Sequence, residues 1–367
     1  MAQLARELKS KGKDVISLSL GEPDFDTPSH IKEAAKVALD EGYTKYTPVP
    51  GLLELRKAIV SKFKRENNLI FTPNQIVVSN GAKQCIYNLC MSLLNPGDEV
   101  LIFTPYWVSY SDIVKLAGGV PVFINSTIED DFKVKPEAVK AAINDKTKAV
   151  LFSSPCNPTG SVYTAEELEA IADIIGERDD IIVFSDEIYE LINFGGKHAS
   201  IGAFDSVKDQ TVTINGFSKG YSMTGWRLGY IGAPQWIASA CAKIQGQVTS
   251  GANAFGQRAA ITALEGDQQP SADMKNAFEK RKHMVRGLLS EIPGIKNVSS
   301  YYGKSYKEYN IQNSGDFAEF ILQEALVGTV GGGAFGADDC IRISYAASED
   351  ELKEAMRRMK ETLALLS

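Results

Sequence analysis

The sequence predicts an α/β protein: a large domain built on a mostly parallel sheet, and a smaller α+β domain. Three observations carry this. Strand-like runs alternate with helical runs through the middle of the chain. Several of those strand-like runs are continuously apolar and do not alternate, which marks a sheet covered on both faces. From about residue 270 the text changes to a long helical run, a mixed region and a closing helix. At 367 residues the chain exceeds one ordinary core, which fits two domains. The expected division is 41–269 for the large domain, with 1–40 and 270–367 together forming the small one.

Taken in order, "MAQLARELKSKGKD" reads as an amphipathic helix and not as a signal peptide. "DVISLSLGEPDFDTP" follows and is assigned to the small domain with its helix. Then come strand "QIVVS" (75–79) with helix "KQCIYNLCMSLL", and strand "EVLIF" (99–103) with "YWVSYSDIVKLAG". "KAVLF" (148–152) leads through a turn to "TAEELEAIADII", with Thr164 as an acceptable N-cap. The strands "IIVFS" (181–185), "TVTIN" (211–215) and "LGYIG" (228–232) complete the alternation. The small domain is read as helix "SADMKNAFEKRKHMVRGLLSEI", strand "CIRISYA" (340–346) and helix "SEDELKEAMRRMKETLALL".

Charge and composition exclude some functions. The net charge of −7 argues against a nucleic-acid or anionic-membrane binder, which would show a basic face. No apolar run approaches the ~18 residues needed to span a bilayer. Five scattered cysteines without framework spacing fit a reducing, cytoplasmic setting. Three histidines leave little material for metal or triad chemistry, and no metal site is expected.

In a parallel α/β sheet, ligands sit beyond the C-terminal strand ends. The residues that follow each strand therefore carry the functional reading. After "QIVVS" come Asn80, Gly81, Ala82 and Lys83, opening a helix whose N-terminal amides suit an anion; a plain tight turn is the alternative. After "EVLIF", Trp107 can stack on a planar ligand or pack in the core. After "KAVLF", the turn Ser153–Gly160 presents the Asn157 amide. After "IIVFS" comes Asp186, a carboxylate that is costly to bury unless it meets a cation or donor, with Tyr189 three residues on. After "TVTIN" comes "GFSKGYSMTGWR", in which small residues and Ser218 surround Lys219 and Arg227 follows. Each alone is weak. Together they match a cofactor with a phosphate, a flat ring, a phenolic oxygen, a ring nitrogen and an aldehyde, namely pyridoxal 5'-phosphate (PLP).

The motifs "LGEPDFDTP" (20–28), "KYTPVPGLLELR" (45–56), "SNGAKQ" (79–84), "PYWVSY" (105–110), "NPTG" (157–160), "SDEIYE" (185–190), "SKGYSMTGWRLGY" (218–230) and "CIRISYA" span nearly the whole chain. In that order they resemble a fold-type I, class I PLP-dependent aminotransferase. The resemblance is narrowest to the bacterial aspartate/prephenate aminotransferase branch. It implies a seven-stranded, mostly parallel sheet in the large domain. It also implies Lys219 as the Schiff-base lysine and proton shuttle, Asp186 on the pyridine nitrogen, and Tyr189 and Asn157 on the phenolic oxygen. Trp107 would stack on the ring, while Gly81, Ala82, Lys83, Ser218 and Arg227 would line the cofactor and its phosphate. Tyr46 would reach the phosphate of a neighbouring subunit, making the enzyme a homodimer. Arg342 and the Gly21 backbone would bind the substrate α-carboxylate, with Trp107 and Asn157 nearby. Lys83 would take the distal carboxylate.

That last assignment implies amino-acid and 2-oxo-acid substrates, with aspartate first. Prephenate also carries a distal carboxylate, so a prephenate or broad-specificity aromatic/acidic aminotransferase stays open. β-Elimination on the same fold and a non-catalytic regulator are the weaker alternatives.

Two family segments are expected but not found: residues before Met1, and a Pro-x-Gly-Ala-Phe-Tyr type strand after Lys296. Both are expected to be missing from the sequence as read and not from the protein, which an intact mass near 39.9 kDa would contradict. Gly331 stands where the family has proline, which suggests a looser loop.

Overall fold

The structure, a computed structural model, describes residues 1–366. The chain forms two compact units, Asp26–Asp273 and Met1–Phe25 with the chain from Met274 on. The first boundary thus falls earlier than residue 41. The reason is packing: the helix Ser29–Asp40 lies against the helix Ala254–Glu265, and Ile31 and Ala35 join the same core as Ala259, Ala260 and Ala263.

The larger unit holds a seven-stranded sheet. Its strands in chain order are β1 (Ile76–Ser79), β2 (Glu99–Phe103), β3 (Val120–Ile124), β4 (Thr147–Ser153), β5 (Ile182–Asp186), β6 (Thr211–Gly216) and β7 (Gly229–Gly232). Across the sheet the order is β1-β7-β6-β5-β4-β2-β3. Only β7 runs antiparallel to its neighbours. The apolar runs serve both faces: Val100 and Ile102 enter one core, Leu101 and Phe103 the other. Hence the strands do not alternate in polarity.

β3 was not among the strands read from the sequence. It is an edge strand, with Val120 and Phe123 each 44% exposed and Pro121 inside it. A proline has no N–H to give a sheet, so it is tolerated at an edge and weakens the pattern there.

The reversed β7 matters for the site. Its first residue, Gly229, stands opposite Gly216 of β6 and Ser79 of β1. The N-terminal end of β7 therefore lies beside the C-terminal ends of its neighbours, and Arg227 arrives at the edge where the other strands finish. Among the described residues, no helix is long and apolar enough to cross a membrane.

The smaller unit packs the helices Gln269–Ser290 (from Met274), Ser314–Phe320 and Glu349–Leu363 around a core that includes Phe317, Phe320, Leu352 and Met356. Ser348 and Glu351 cap the last helix in a capping box. The segment "CIRISYA" forms a strand over Ile341–Arg342 alone, paired with Val330–Gly331 in a two-stranded sheet. The chain runs from Lys296 through a 3-10 turn at Val298–Tyr301 to a short hairpin, and among the described residues no further strand pairs with Ile341–Arg342. Beyond that pairing the segment is held by single backbone bonds, with the Ser344 amide donating to the Leu18 carbonyl at 2.9 Å and the Val298 amide to the Asp339 carbonyl at 3.0 Å. Gly331 does not loosen its loop. It is buried, and a Cβ there would meet the Ser314 carbonyl group at 2.7 Å, so glycine answers a close approach.

Candidate active site

The strand ends bring most of the expected residues of the larger unit to one edge. Asp186 closes β5 and is 5% exposed. Its Oδ2 accepts from the Tyr110 hydroxyl at 2.7 Å and its Oδ1 from the Ile188 amide at 3.2 Å. Burial raises its carboxyl to about 6, while the Tyr110 and Ile188 hydrogen bonds and the charge of Lys219 pull it down. Burial beside Asp186 pushes the Tyr110 hydroxyl well above its ordinary value, so it remains a donor.

Lys219 follows β6 through Gly216–Phe217–Ser218, and its Nζ lies 5.8 Å from the centre of the Tyr189 ring. Gly220 is there because Leu191 crowds it: a Cβ would stand 2.5 Å from Leu191 Cδ1. Ser218 is buried beneath the loop. Thr27 pins the far side, donating to the Ser222 carbonyl at 2.6 Å and accepting from Trp226 Nε1 at 3.0 Å.

Arg227 takes left-handed backbone, φ 54°, at the end of this loop. Its guanidinium donates to the Thr224 carbonyl at 2.9 Å and the Asn80 carbonyl at 3.4 Å. Gly81 (φ 86°) begins the helix Ala82–Leu93, which has no side-chain cap at its start. A Cβ on Gly81 would sit 2.4 Å from Arg227 Nη2, and one on Gly229 would sit 2.3 Å from the Ala82 nitrogen. Two glycines thus hold a guanidinium and a helix N-terminus together. A guanidinium beside a helix N-terminus can accept a phosphate-sized dianion.

Trp107 meets Tyr110 edge-on at 5.6 Å, and Lys83 Nζ stands 4.8 Å over the Trp107 ring. Asn157 lies in the turn after β4, two residues beyond Pro155. Tyr46 is 97% exposed, so within one chain it packs on nothing. Gly21 and Arg342 belong to the smaller unit. There Arg342 stacks its guanidinium 4.7 Å from the Phe335 ring and donates to the Ser19 carbonyl at 2.5 Å.

Tyr110 was not singled out from the sequence. Its only signal was its place in "PYWVSY", where it reads as one more core aromatic. Its contact with Asp186 joins segments 76 residues apart.

The profile of the family "Aminotransferase class I and II" matches residues 13–359. The chain belongs to that family. It is 45% identical over 366 residues to an aspartate aminotransferase of Bacillus subtilis, covering 97% of this chain and 93% of the relative. It is 43% identical over 376 residues to an aspartate/prephenate aminotransferase of Nitrosomonas europaea, covering 98% and 95%. The solved aspartate aminotransferase of Rhizobium meliloti superposes with a TM-score of 0.96 at 39% identity, over 100% of this chain and 95% of that one.

The family is PLP-dependent, and the residues here fit that cofactor. The Gly81–Arg227 cradle suits its phosphate, and the buried Asp186 carboxylate suits a protonated ring nitrogen. A lysine amine stands close to the Tyr189 ring.

Proposed function

We propose that this aminotransferase is an aspartate aminotransferase, moving the amino group of L-aspartate to 2-oxoglutarate and releasing oxaloacetate and L-glutamate. The observation that carries the acidic preference is Lys83, an exposed ammonium held over the Trp107 ring at 4.8 Å. A cation fixed above an aromatic plane suits a substrate with a second carboxylate. The relatives named for aspartate support the same reading.

Bound at this edge, PLP supplies a carbonyl that takes up the amino group and a cationic ring that draws electrons from the substrate Cα. Asp186 keeps the ring nitrogen protonated, because a buried carboxylate is stabilised by an adjacent cation. Tyr110 holds the Oδ2 of that carboxylate. Arg227 and the amides beginning at Ala82 grip the phosphate, with Gly81, Lys83 and Ser218 lining the approach. Trp107 would cover the ring. Tyr189 and Asn157 would donate to the phenolic oxygen. Lys219 would hold the carbonyl in the resting enzyme and, as a free amine, would move the proton of the substrate Cα as a general base. Arg342, with the Gly21 backbone, takes the α-carboxylate; a planar fork matches a carboxylate as an ammonium does not.

The enzyme is a cytoplasmic homodimer in this reading, with Tyr46 completing the neighbouring subunit's phosphate site. Prephenate is the second substrate reading, favoured by the Nitrosomonas relative. Coupled turnover with aspartate, glutamate and prephenate as competing partners tests the choice. The proposal requires aspartate with 2-oxoglutarate to give the highest kcat/KM. A higher value with prephenate would replace it by the second reading.

A further inference from the structure

The turn after β5 carries two carboxylates that the cofactor reading leaves unused. Asp186 and Tyr189 are three residues apart, and so are Glu187 and Glu190. One turn, closed by the Glu190 amide donating to the Glu187 carbonyl at 3.0 Å, carries both pairs in alternate register. Glu187 and Glu190 point into a buried polar cluster. Glu187 Oε2 meets His198 Nε2 at 2.7 Å, the Ser200 hydroxyl at 2.6 Å and the Asn67 amide at 3.0 Å. Its Oε1 accepts from Ser185 at 3.0 Å. Glu190 pairs with Lys62 and accepts from Asn67 at 2.8 Å. Lys62 is 1% exposed and also donates to Asn67 Oδ1 at 2.7 Å.

Glu187, Glu190 and His198 have the spacing of a cation site. Yet the Lys62 ammonium pairs with Glu190 and the Asn67 amide donates to both carboxylates, so groups of the chain itself already occupy the cluster. Lys62 and Asn67 come from a different part of the fold. The helix Leu53–Lys62 passes into a π turn, Phe63–Asn67, that ends on left-handed Asn68 (φ 57°). Such turns swing one residue out of the regular helical face, and they recur at functional sites. Here the turn brings Asn67 onto both Glu187 and Glu190. Buried charges this closely paired are costly to separate, because losing one partner strands the other.

We propose that Lys62, Asn67 and His198 are positioning residues for the cofactor contacts. By clamping Glu187 and Glu190 they fix the turn 186–190, and so the aim of the Asp186 carboxylate and the Tyr189 hydroxyl. The inference rests on the reading of Asp186 and Tyr189 as ring contacts.

The test compares wild type with Lys62→Met, His198→Gln, Asp186→Asn and Tyr189→Phe. Three quantities are read: the Kd of PLP for the cofactor-free protein, the Kd of inorganic phosphate, and the pH midpoint of the bound cofactor's absorbance. Lys62→Met and His198→Gln are each expected to weaken PLP binding about ten-fold. They are also expected to move the absorbance midpoint by more than about half a unit. Phosphate binding, which reports on the distant Gly81–Arg227 cradle, should stay within about two-fold. If phosphate and PLP binding weaken together, or the midpoint does not move, the cluster supports the fold only and the proposal is overturned. Should Lys62→Met fail to fold, His198→Gln decides alone. If Asp186→Asn and Tyr189→Phe leave the midpoint in place, the ring-contact reading itself fails. If they move it and the cluster variants do not, only this inference fails.

Discussion

Asp186 is the residue at which folding and function pull in opposite directions. Burial raises its carboxyl from an ordinary 3.8 to about 6. A carboxyl raised on folding binds its proton more tightly in the folded state, so its charged form costs stability. Without cofactor, stability should therefore fall as pH rises from about 4 to about 6, and level off above. The cost at neutral pH is about 3 kcal/mol. Asp186→Asn keeps the shape and removes the charge. The cofactor-free variant is expected to be more stable than wild type at pH 7 by about 1–3 kcal/mol, and to lose the slope between those pH values. PLP binding should weaken at the same time. Thermal unfolding across pH checks this; a variant that is no more stable at pH 7 and keeps the slope contradicts it. Residues at functional sites are where local rules of burial are expected to break. That is why this carboxylate was legible in the sequence as an oddity at the end of an apolar run. Its partner Tyr110 was not legible, because a buried tyrosine breaks no rule.

At the scale of elements, the proposed phosphate cradle depends on where β7 starts. Its antiparallel direction brings Arg227 to the edge, and Gly81 lets the guanidinium close against the helix Ala82–Leu93. Gly81→Ala is expected to push Arg227 aside and weaken both phosphate and PLP binding about ten-fold. The left-handed backbone at Gly81 adds a stability loss of about 1 kcal/mol. Titration of the variant with phosphate checks the first, and thermal unfolding the second; unchanged phosphate affinity would remove Gly81 from the cradle.

The strands that build this edge were readable because each is an apolar run bounded by turn residues. β3 was not, since an edge strand with a proline carries half the pattern. The segment 340–346 was read too long, because composition sees its β-branched residues but not that the ladder with Val330–Gly331 reaches only Ile341–Arg342. The turn 186–190 was read only for Asp186 and Tyr189. Glu187 and Glu190 pass as ordinary acidic residues until the fold brings Lys62 and His198, from either side in sequence, onto them.

For the whole molecule, the two-domain plan and the sheet's place within it followed from the order of the runs. The first boundary did not, because nothing local to the helix Ser29–Asp40 says that its apolar face meets the helix Ala254–Glu265. In the proposed dimer, Tyr46 acts beyond its own chain. A tyrosine 97% exposed on its own subunit has its proposed role on another. Mixing Lys219→Ala subunits with Tyr46→Ala subunits puts an intact lysine and an intact partner tyrosine at one site of each mixed dimer. Equal mixing is expected to restore roughly a quarter of wild-type activity from two poorly active parents. Activity no greater than the sum of the parents would place Tyr46 outside the neighbour's site.

Lys219 is the proposed anchor of the cofactor. Borohydride reduction of the PLP-loaded protein, followed by peptide mass mapping, tests this most directly. The prediction is a pyridoxyl group on the peptide containing Lys219, absent in Lys219→Ala together with the loss of aspartate turnover. A pyridoxyl group on another lysine, or retained at full yield in Lys219→Ala, would contradict it.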